Sequence, residues 1–581
     1  MFSSNRIIGE ALLKFSQVFL ALGTLLLVLA PLSEALSQTV TYGFSLLYQK
    51  DGVNADDYFG YSVAGPGDID SNGRAEFMVG APQVADVSGP GYAKVFSGLD
   101  GSVLYNVTPP DADPCQLFGI NEQKFGFSVA AGGNMDAGGR PEFLVGRPHY
   151  NNFYGSACVY KHDGTLKYNK VGPNNCGCTI ACRTIGEQFG FAVAGGGDVN
   201  GDGTADFIVG QPNDSTMGFP FAGSIYIYSG LDGSLLRTKH YPGATWFFGS
   251  SVAFIGDVYP SPNGDGKSEY IVGAWGYDTS PELQNTGAAY VFSGANTDTN
   301  AFTSKLYAKY GSTDGEYFGW SVGNAGDVNE DGKNDIIIGS PRYYWNGANA
   351  GRVFVFSGPT GLPQLHLKKG SPGDSLGYSV AGAGDINEDG NADFIVGAPG
   401  RYSGKGAAFV YSGLNGNLID TVKATNGAAG DGFGTSVAGG GRIDYGNLPD
   451  IIIGAPYTSG GGLEDRGSAY VYKTTVTITV PKATAGNTPS SFDLGQNYPN
   501  PFNANTNISF SLEKEASVEL VVYNILGEKV RTLMGETRPA GNYEVAFDGR
   551  DDRGNSLSSG VYFYKLNAGD KVVTKQMVLV K

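Results

Sequence analysis

Four histidines and five cysteines are few reactive side chains for a chain of 581 residues. His149, His162, His240 and His366 each stand outside any motif with a nucleophile, and no G-x-S-x-G, H-E-x-x-H or P-loop pattern stands out. That speaks against the common hydrolase, zinc-protease and nucleotide-binding chemistries. No catalytic residue is assigned, and an extracellular polysaccharide hydrolase or lyase is kept as the alternative to a binding protein. Basic residues are also scarce: 39 Lys and Arg against 56 Asp and Glu leave a formal charge of -17 and a pI near 4.7. Such a surface repels nucleic acid and suits cations.

Long apolar runs are missing too, apart from residues 18–30. Arg6 and Lys14 precede that run and Ala35-Leu36-Ser37 follows it ahead of Gln38, the order of a secretory signal peptide over 1–37. A retained anchor is the competing reading, but thirteen apolar residues are short for a bilayer. No transmembrane anchor is therefore expected in the mature chain. All five cysteines fall between Cys115 and Cys182. Cys158, in GSACVY, reads as a buried free thiol. Cys115, Cys176, Cys178 and Cys182 read as loop residues forming two bridges, with a zinc site as the alternative.

What the chain has in quantity is glycine, 90 residues, and aromatics, 12%. That mixture belongs to short strands and tight turns. A phrase FG-x-S/A-V, a Gly/Asp-rich loop and an apolar run ending in Gly occurs seven times, starting at Phe59, Phe125, Phe189, Phe248, Phe318, Leu376 and Phe433. Successive starts lie 57 to 70 residues apart, a period of stacked or radial β units.

Each copy reads as four strands, A to D. In the third copy A is 189–195, B is 206–209, C is 224–228 and D begins near Ser234. Along C, Ile225 and Ile227 point to one face, Tyr226 and Tyr228 to the other. Asp232-Gly233 is expected to form a two-residue C–D hairpin, as are Asp100-Gly101, Asp163-Gly164 and Asn415-Gly416. A sheet with two apolar faces must be covered on both sides, so seven of them should close into a ring. The seventh copy lacks its strand D. Residues 42–49 or 475–480 are the two segments able to supply it.

These residues resemble the FG-GAP repeats of the integrin α-subunit propeller and its bacterial relatives over roughly 39–473. The resemblance implies a seven-bladed β-propeller that binds calcium and contacts other molecules. The A–B loops carry the matching oxygens: Asp198, Asn200, Asp202 and Asp206; Asp327, Asn329, Asp331 and Asp335; Asp385, Asn387, Asp389 and Asp393. Gly203, Gly332 and Gly390 permit the sharp turn a hard cation needs. The twelfth position is Val209, Ile338 or Val396 instead of the glutamate of an EF-hand, so a β-hairpin calcium loop is expected. Asp68, Asp70, Asn72 and Glu76 form a fourth candidate set. The fourth copy offers Asn263, Asp265 and Glu269 after an insertion that displaces Asp257. The second has Asn134, Asp136 and Glu142 but Gly138 at the third ligand position. The seventh has Arg442 in place of the first acid, so no ion is expected there.

The opposite face, formed by the B–C and D–A connections, should carry 150–154, Trp246-Phe247, Trp275 and 342–346. Aromatics beside Arg and Asn suit contact with an extracellular protein or glycan. Arg342, Tyr343, Tyr344, Trp345 and Trp275 are the candidate ligand-binding residues, while Trp246 could equally pack between blades.

After a linker over 481–491 the pattern changes. Strand-like runs at 507–512, 517–523, 543–547, 561–565 and 572–580 suggest a small β-sandwich over 492–581. QNYPNPFN, VYNILGEKV, LSSGVYFYKL and the final MVLVK closely resemble the type A C-terminal sorting domain of the type IX secretion system. That resemblance implies a Bacteroidetes bacterium, periplasmic transit, recognition by the secretion machinery and its sortase, and a secreted or outer-surface product. The chain is expected to be all-β, a seven-bladed β-propeller over 38–480 followed by a small C-terminal β-sandwich.

Overall fold

The structure, a computed structural model, describes residues 39–580 except 84–88, 111–122, 137, 151–153, 174–185, 216–217, 242, 244–245, 260–263, 296–304, 347, 480–490, 504 and 554. The segment read as a signal peptide, most of the linker, Asn263 and the four loop cysteines lie outside the described residues. The chain divides into two units, Val40–Thr479 and a second containing Val480–Lys581.

The first unit holds seven four-stranded antiparallel sheets. In blade 3, strand A is Ala192–Gly197, B is Asp206–Gln211, C is Ser224–Tyr228 and D is Leu235–His240. Strands B and C are fully buried along their length because both of their faces are covered. Ile225 and Ile227 pack toward blade 4, while Tyr226 and Tyr228 pack toward blade 2. The alternation of one strand thus feeds two cores, and seven such clusters separate the seven blades.

The ring is closed. Each A strand lies against those of the two neighbouring blades, including Ser62–Gly67 of blade 1 against Ser436–Gly441 of blade 7. The last sheet is completed by Thr39–Asp51, which pairs with Ser468–Thr479. So the N-terminal segment supplies strand D, and 475 onward extends strand C.

The repeated phrase acquires a physical meaning here. Its first residue forms a parallel bridge to the glycine before strand C of the preceding blade, seven times, from Gly91 with Phe125 to Gly467 with Phe59. The second residue must be glycine: Gly126 has φ +88°, and a Cβ there would lie 2.3 Å from the Tyr92 carbonyl. In five copies the phrase has a serine whose hydroxyl reaches the next blade's glycine carbonyl, as in Ser62 to Gly126 (2.9 Å) and Ser321 to Gly377 (2.9 Å).

The C–D turns differ from expectation. Ser97 and Ser102 pair around a four-residue loop, as do Ser229 and Ser234. Only the glycine of each Asp-Gly pair has positive φ, and the aspartate instead accepts the N–H two residues on, 2.8 Å in both cases. An Asx cap replaces the double positive-φ turn because only glycine takes that conformation cheaply.

In the C-terminal unit a three-stranded sheet (Asp493–Leu494, Thr506–Leu512, Gly541–Phe547) and a four-stranded one (Lys529–Arg538, Ala516–Tyr523, Gly560–Ala568, Lys571–Leu579) share one core. Lys529–Arg538 was not among the expected strands. It is a charged, half-buried edge strand, whose alternation is weak because one side faces water.

Candidate functional site

Two surfaces of the ring gather the candidate residues. On the first, the A–B loops share one construction. In all seven blades the acid that opens strand B accepts the amide of an apolar loop residue: Ile69 to Glu76 (2.6 Å), Met135 to Glu142 (2.7 Å), Val199 to Asp206 (2.9 Å), Val258 to Glu269 (2.8 Å), Val328 to Asp335 (2.9 Å), Ile386 to Asp393 (2.8 Å) and Ile443 to Asp450 (2.8 Å). In blades 3 to 6 the second oxygen takes an amide from the C–D turn, namely Gly230, Gly294, Gly358 and Gly413, at 2.9 to 3.2 Å. In these blades the last acid therefore braces two hairpins from a buried position; in blade 7, where no ion was expected, Asp450 instead ties its loop to Thr474 N–H (3.1 Å) within strand C. Burial pushes these carboxyls up, neighbouring loop carboxylates add to it, and the backbone donors oppose it. Asp206 and Asp450 reach about 6; Glu76, Glu269, Asp335 and Asp393 reach about 7.

The first loop acid caps the loop glycine: Gly203 to Asp198 (2.8 Å), Gly332 to Asp327 (2.8 Å), Gly390 to Asp385 (3.0 Å) and Gly73 to Asp68 (2.9 Å). Asn200 bonds Asp202 at 2.8 Å and Asn72 bonds Asp70 at 2.9 Å; the Asp331 and Asp389 amides return to Asn329 (2.9 Å) and Asn387 (3.0 Å). Asp257 is not displaced by the insertion. It accepts Gly266 N–H at 2.9 Å, as its counterparts accept their loop glycines. Among the described residues, the closest gatherings of ligand atoms, all within 4.8 Å, are Asp68 with Asp70 and Glu76, and Asp136 with Glu142 and His162. Asp68, Asp70 and Glu76 are a donor set of oxygens that fits a cation at the first loop.

On the opposite surface, a chain of ring contacts, some stacked and some tilted, runs between blades. Phe247 lies on Trp275 (4.3 Å, 8°), Trp275 on Tyr317 (4.6 Å), Tyr317 beside Trp320 (6.0 Å) and Trp320 beside Tyr378 (5.5 Å). Trp320 and Tyr378 occupy the variable position of FG-x-S, so the phrase itself places them at the ring's centre. Arg342 stands over Tyr317 at 4.7 Å and donates to its hydroxyl at 2.7 Å. A cleft of about 470 Å³ opens there, lined by Asn285, Asp314, Tyr317, Arg342, Tyr344 and Asn349 among others. Tyr344 is 62% exposed and Trp345 49%. They sit on a small ladder with Ala348–Asn349 that holds them outward.

Tyr343 turns inward beneath Arg352 (4.2 Å) and supports the loop. Tyr150 and Tyr154 are likewise buried, and Trp246 packs on Tyr241 (4.1 Å) and Tyr277 (4.3 Å).

One cluster has catalytic residue types without catalytic geometry. Ser224 Oγ contacts His240 Nδ1 at 2.6 Å and also bonds Asp214, whose carboxylate lies 3.2 Å from the same Nδ1. A serine nucleophile needs the ring nitrogen opposite the acid, and Ser224 is fully buried. The cluster ties strands C and D together. No described helix is long and apolar enough to cross a membrane.

Comparison with known proteins agrees with this architecture. The FG-GAP repeat model matches 189–228, 318–356 and 376–411, and the FlgD Ig-like domain model matches 495–571. Mouse integrin alpha-IIb is 30% identical over 236 residues, 38% of this chain and 23% of that protein. Integrin alpha pat-2 of Caenorhabditis briggsae is 27% identical over 493 residues, 74% of this chain and 36% of that one. The chain thus spans only a minor part of these relatives. A solved structure of PorZ, described as an essential bacterial surface component of the type-IX secretion system of Porphyromonas gingivalis, aligns with TM-score 0.39 and 15% identity, covering 92% of this chain and 60% of that one. From its closed ring and its recurring phrase, the unit Val40–Thr479 is a seven-bladed β-propeller carrying FG-GAP repeats, and the C-terminal unit is a β-sandwich similar to the FlgD Ig-like domain over 495–571.

Proposed function

We propose that this chain is an extracellular ligand-binding or adhesion module that grips a protein or glycan partner on the aromatic face of its propeller. The observation that carries this reading is the cleft beside Arg342, where a cation, the exposed Tyr344 ring, the half-buried Tyr317 ring and the amide side chains of Asn285 and Asn349 converge, with the exposed Trp345 next to it in sequence. Tyr344 and Trp345 offer stacking area at low entropic cost, and Arg342 supplies donors for carboxylate or hydroxyl groups. The likeness to integrin α chains supports the same reading.

On the other face, Asp68, Asp70, Asn72 and Glu76, and the Asp/Asn sets of blades 3, 5 and 6, are the residues that would hold calcium. The ion would neutralise converging carboxylates and stiffen the loops. The C-terminal unit serves export through type IX secretion and is removed by the sortase, a reading supported by its QNYPNPFN and MVLVK motifs. Deleting 492–581 should then leave the propeller inside the cell.

The binding test is a screen of the purified chain against glycans and matrix proteins, repeated with Arg342→Ala and with Tyr344→Ala/Trp345→Ala. We expect these variants to lose at least about tenfold in affinity while keeping their fold. A ligand bound equally well by all of them would place the contact surface elsewhere.

A further inference from the structure

Blade 2 departs from its siblings at one corner. The other C–D turns that cap strand B begin Ser-Gly, and in blades 3 to 6 that glycine's N–H satisfies the second oxygen of the buried acid. Blade 2 instead reads Lys161-His162-Asp163-Gly164, a turn closed by the bond from Lys161 N–H to Thr165 O (2.8 Å). The glycine donor is gone and an imidazole stands in its place. Glu142 is 0% exposed, and its Oε1 is buried with no donor; the group it approaches is the Asp136 carboxylate, another acceptor. His162 Nδ1 is also buried without a partner. One ligand atom from each of the three side chains lies within 4.8 Å of the others.

We propose that Asp136, Glu142 and His162 form a divalent transition-metal site, with zinc as its ion. Two carboxylates and an imidazole, gathered with one ligand atom each within 4.8 Å of the others, are the donor set of a cation. Imidazole nitrogen favours zinc over calcium, whereas the other A–B loops offer oxygen alone. Three protein ligands leave a fourth position for water, and the half-exposed Asp136 and His162 mark its side of approach. Glu142 Oε2 is held by Met135 N–H at 2.7 Å, which aims Oε1 inward. Lys167 donates to the Met135 carbonyl at 2.8 Å and so sits beside the site without filling it. This assignment does not depend on the ligand-binding reading.

The test is calorimetric titration of the metal-stripped full chain with zinc in excess calcium. We expect one high-affinity zinc site per chain, weakened more than about 100-fold in His162→Ala, a larger loss than removing an outer-shell partner causes. Glu142→Gln serves as a second variant should His162→Ala misfold. Cobalt bound to the wild-type chain should show a nitrogen and oxygen ligand field. Absence of a zinc site in excess calcium, or its survival in both variants, would overturn the proposal. So would thiolate charge-transfer bands in the cobalt spectrum, which place the ion on cysteine.

Discussion

Ser436 Oγ donates to the Gly60 carbonyl at 2.8 Å across 376 residues of sequence. It is the bond that Ser62 makes to Gly126 and Ser128 to Gly190, now joining the last blade to the first. Ser436→Ala should lower stability by on the order of 1 kcal/mol, read in denaturant melts. Deleting 39–51 should cost far more, since it bares the whole Ser468–Thr479 edge. A monomeric, fully folded deletion would contradict the closure described here.

Calcium should raise the melting temperature, and excess EDTA should lower it. At free calcium a hundredfold above its dissociation constant, each occupied loop adds about 2.7 kcal/mol. Replacing Asp68 and Asp70 with Asn should remove part of this response. A melting curve indifferent to EDTA would count against calcium in these loops.

Asp450 lets acid dependence be followed where no ion is expected. Its folded-state carboxyl sits at about 6, above the ordinary 3.8, so the native state favours the protonated form. That contribution is complete below about pH 4 and is lost as pH rises through 6, a difference of about 1–3 kcal/mol. In EDTA, Asp450→Asn should therefore show a shallower fall in stability between pH 4 and pH 7 than the wild type. Identical slopes would mean that Asp450 is not the titrating group.

Asp214 should matter for folding and not for turnover. Asp214→Asn weakens the buried network with Ser224 and His240, at a cost of about 1–3 kcal/mol in unfolding experiments. Polysaccharide cleavage by the wild type that vanishes in Ser224→Ala, with stability retained, would reverse this assignment.

Much of the ring was legible in advance because β structure of this kind is written locally. FG-x-S marks each strand A, alternation in 224–228 assigns two faces, and Asp or Asn before Gly marks the turns. The loop acids were also visible, since their spacing follows from one tight turn. Less visible was which acid does what. Asp206 and Asp450 look like any loop carboxylate in sequence, yet both tie their loop to backbone amides 24 residues away, Gly230 in a C–D turn and Thr474 in a strand. The role of Asp257 was hidden by an insertion, because a loop's end points can coincide in space while its length varies.

The amino-acid order alone determined the number of blades, the all-β class and the acidic hairpin tips, for these depend on short-range pattern and period. Only the folded ring decided that Thr39–Asp51 closes it, that Tyr343 turns in while Tyr344 turns out, and that His162 meets Glu142. Those outcomes depend on contacts between segments distant along the chain, where packing and the satisfaction of buried polar atoms, not local preference, select the arrangement.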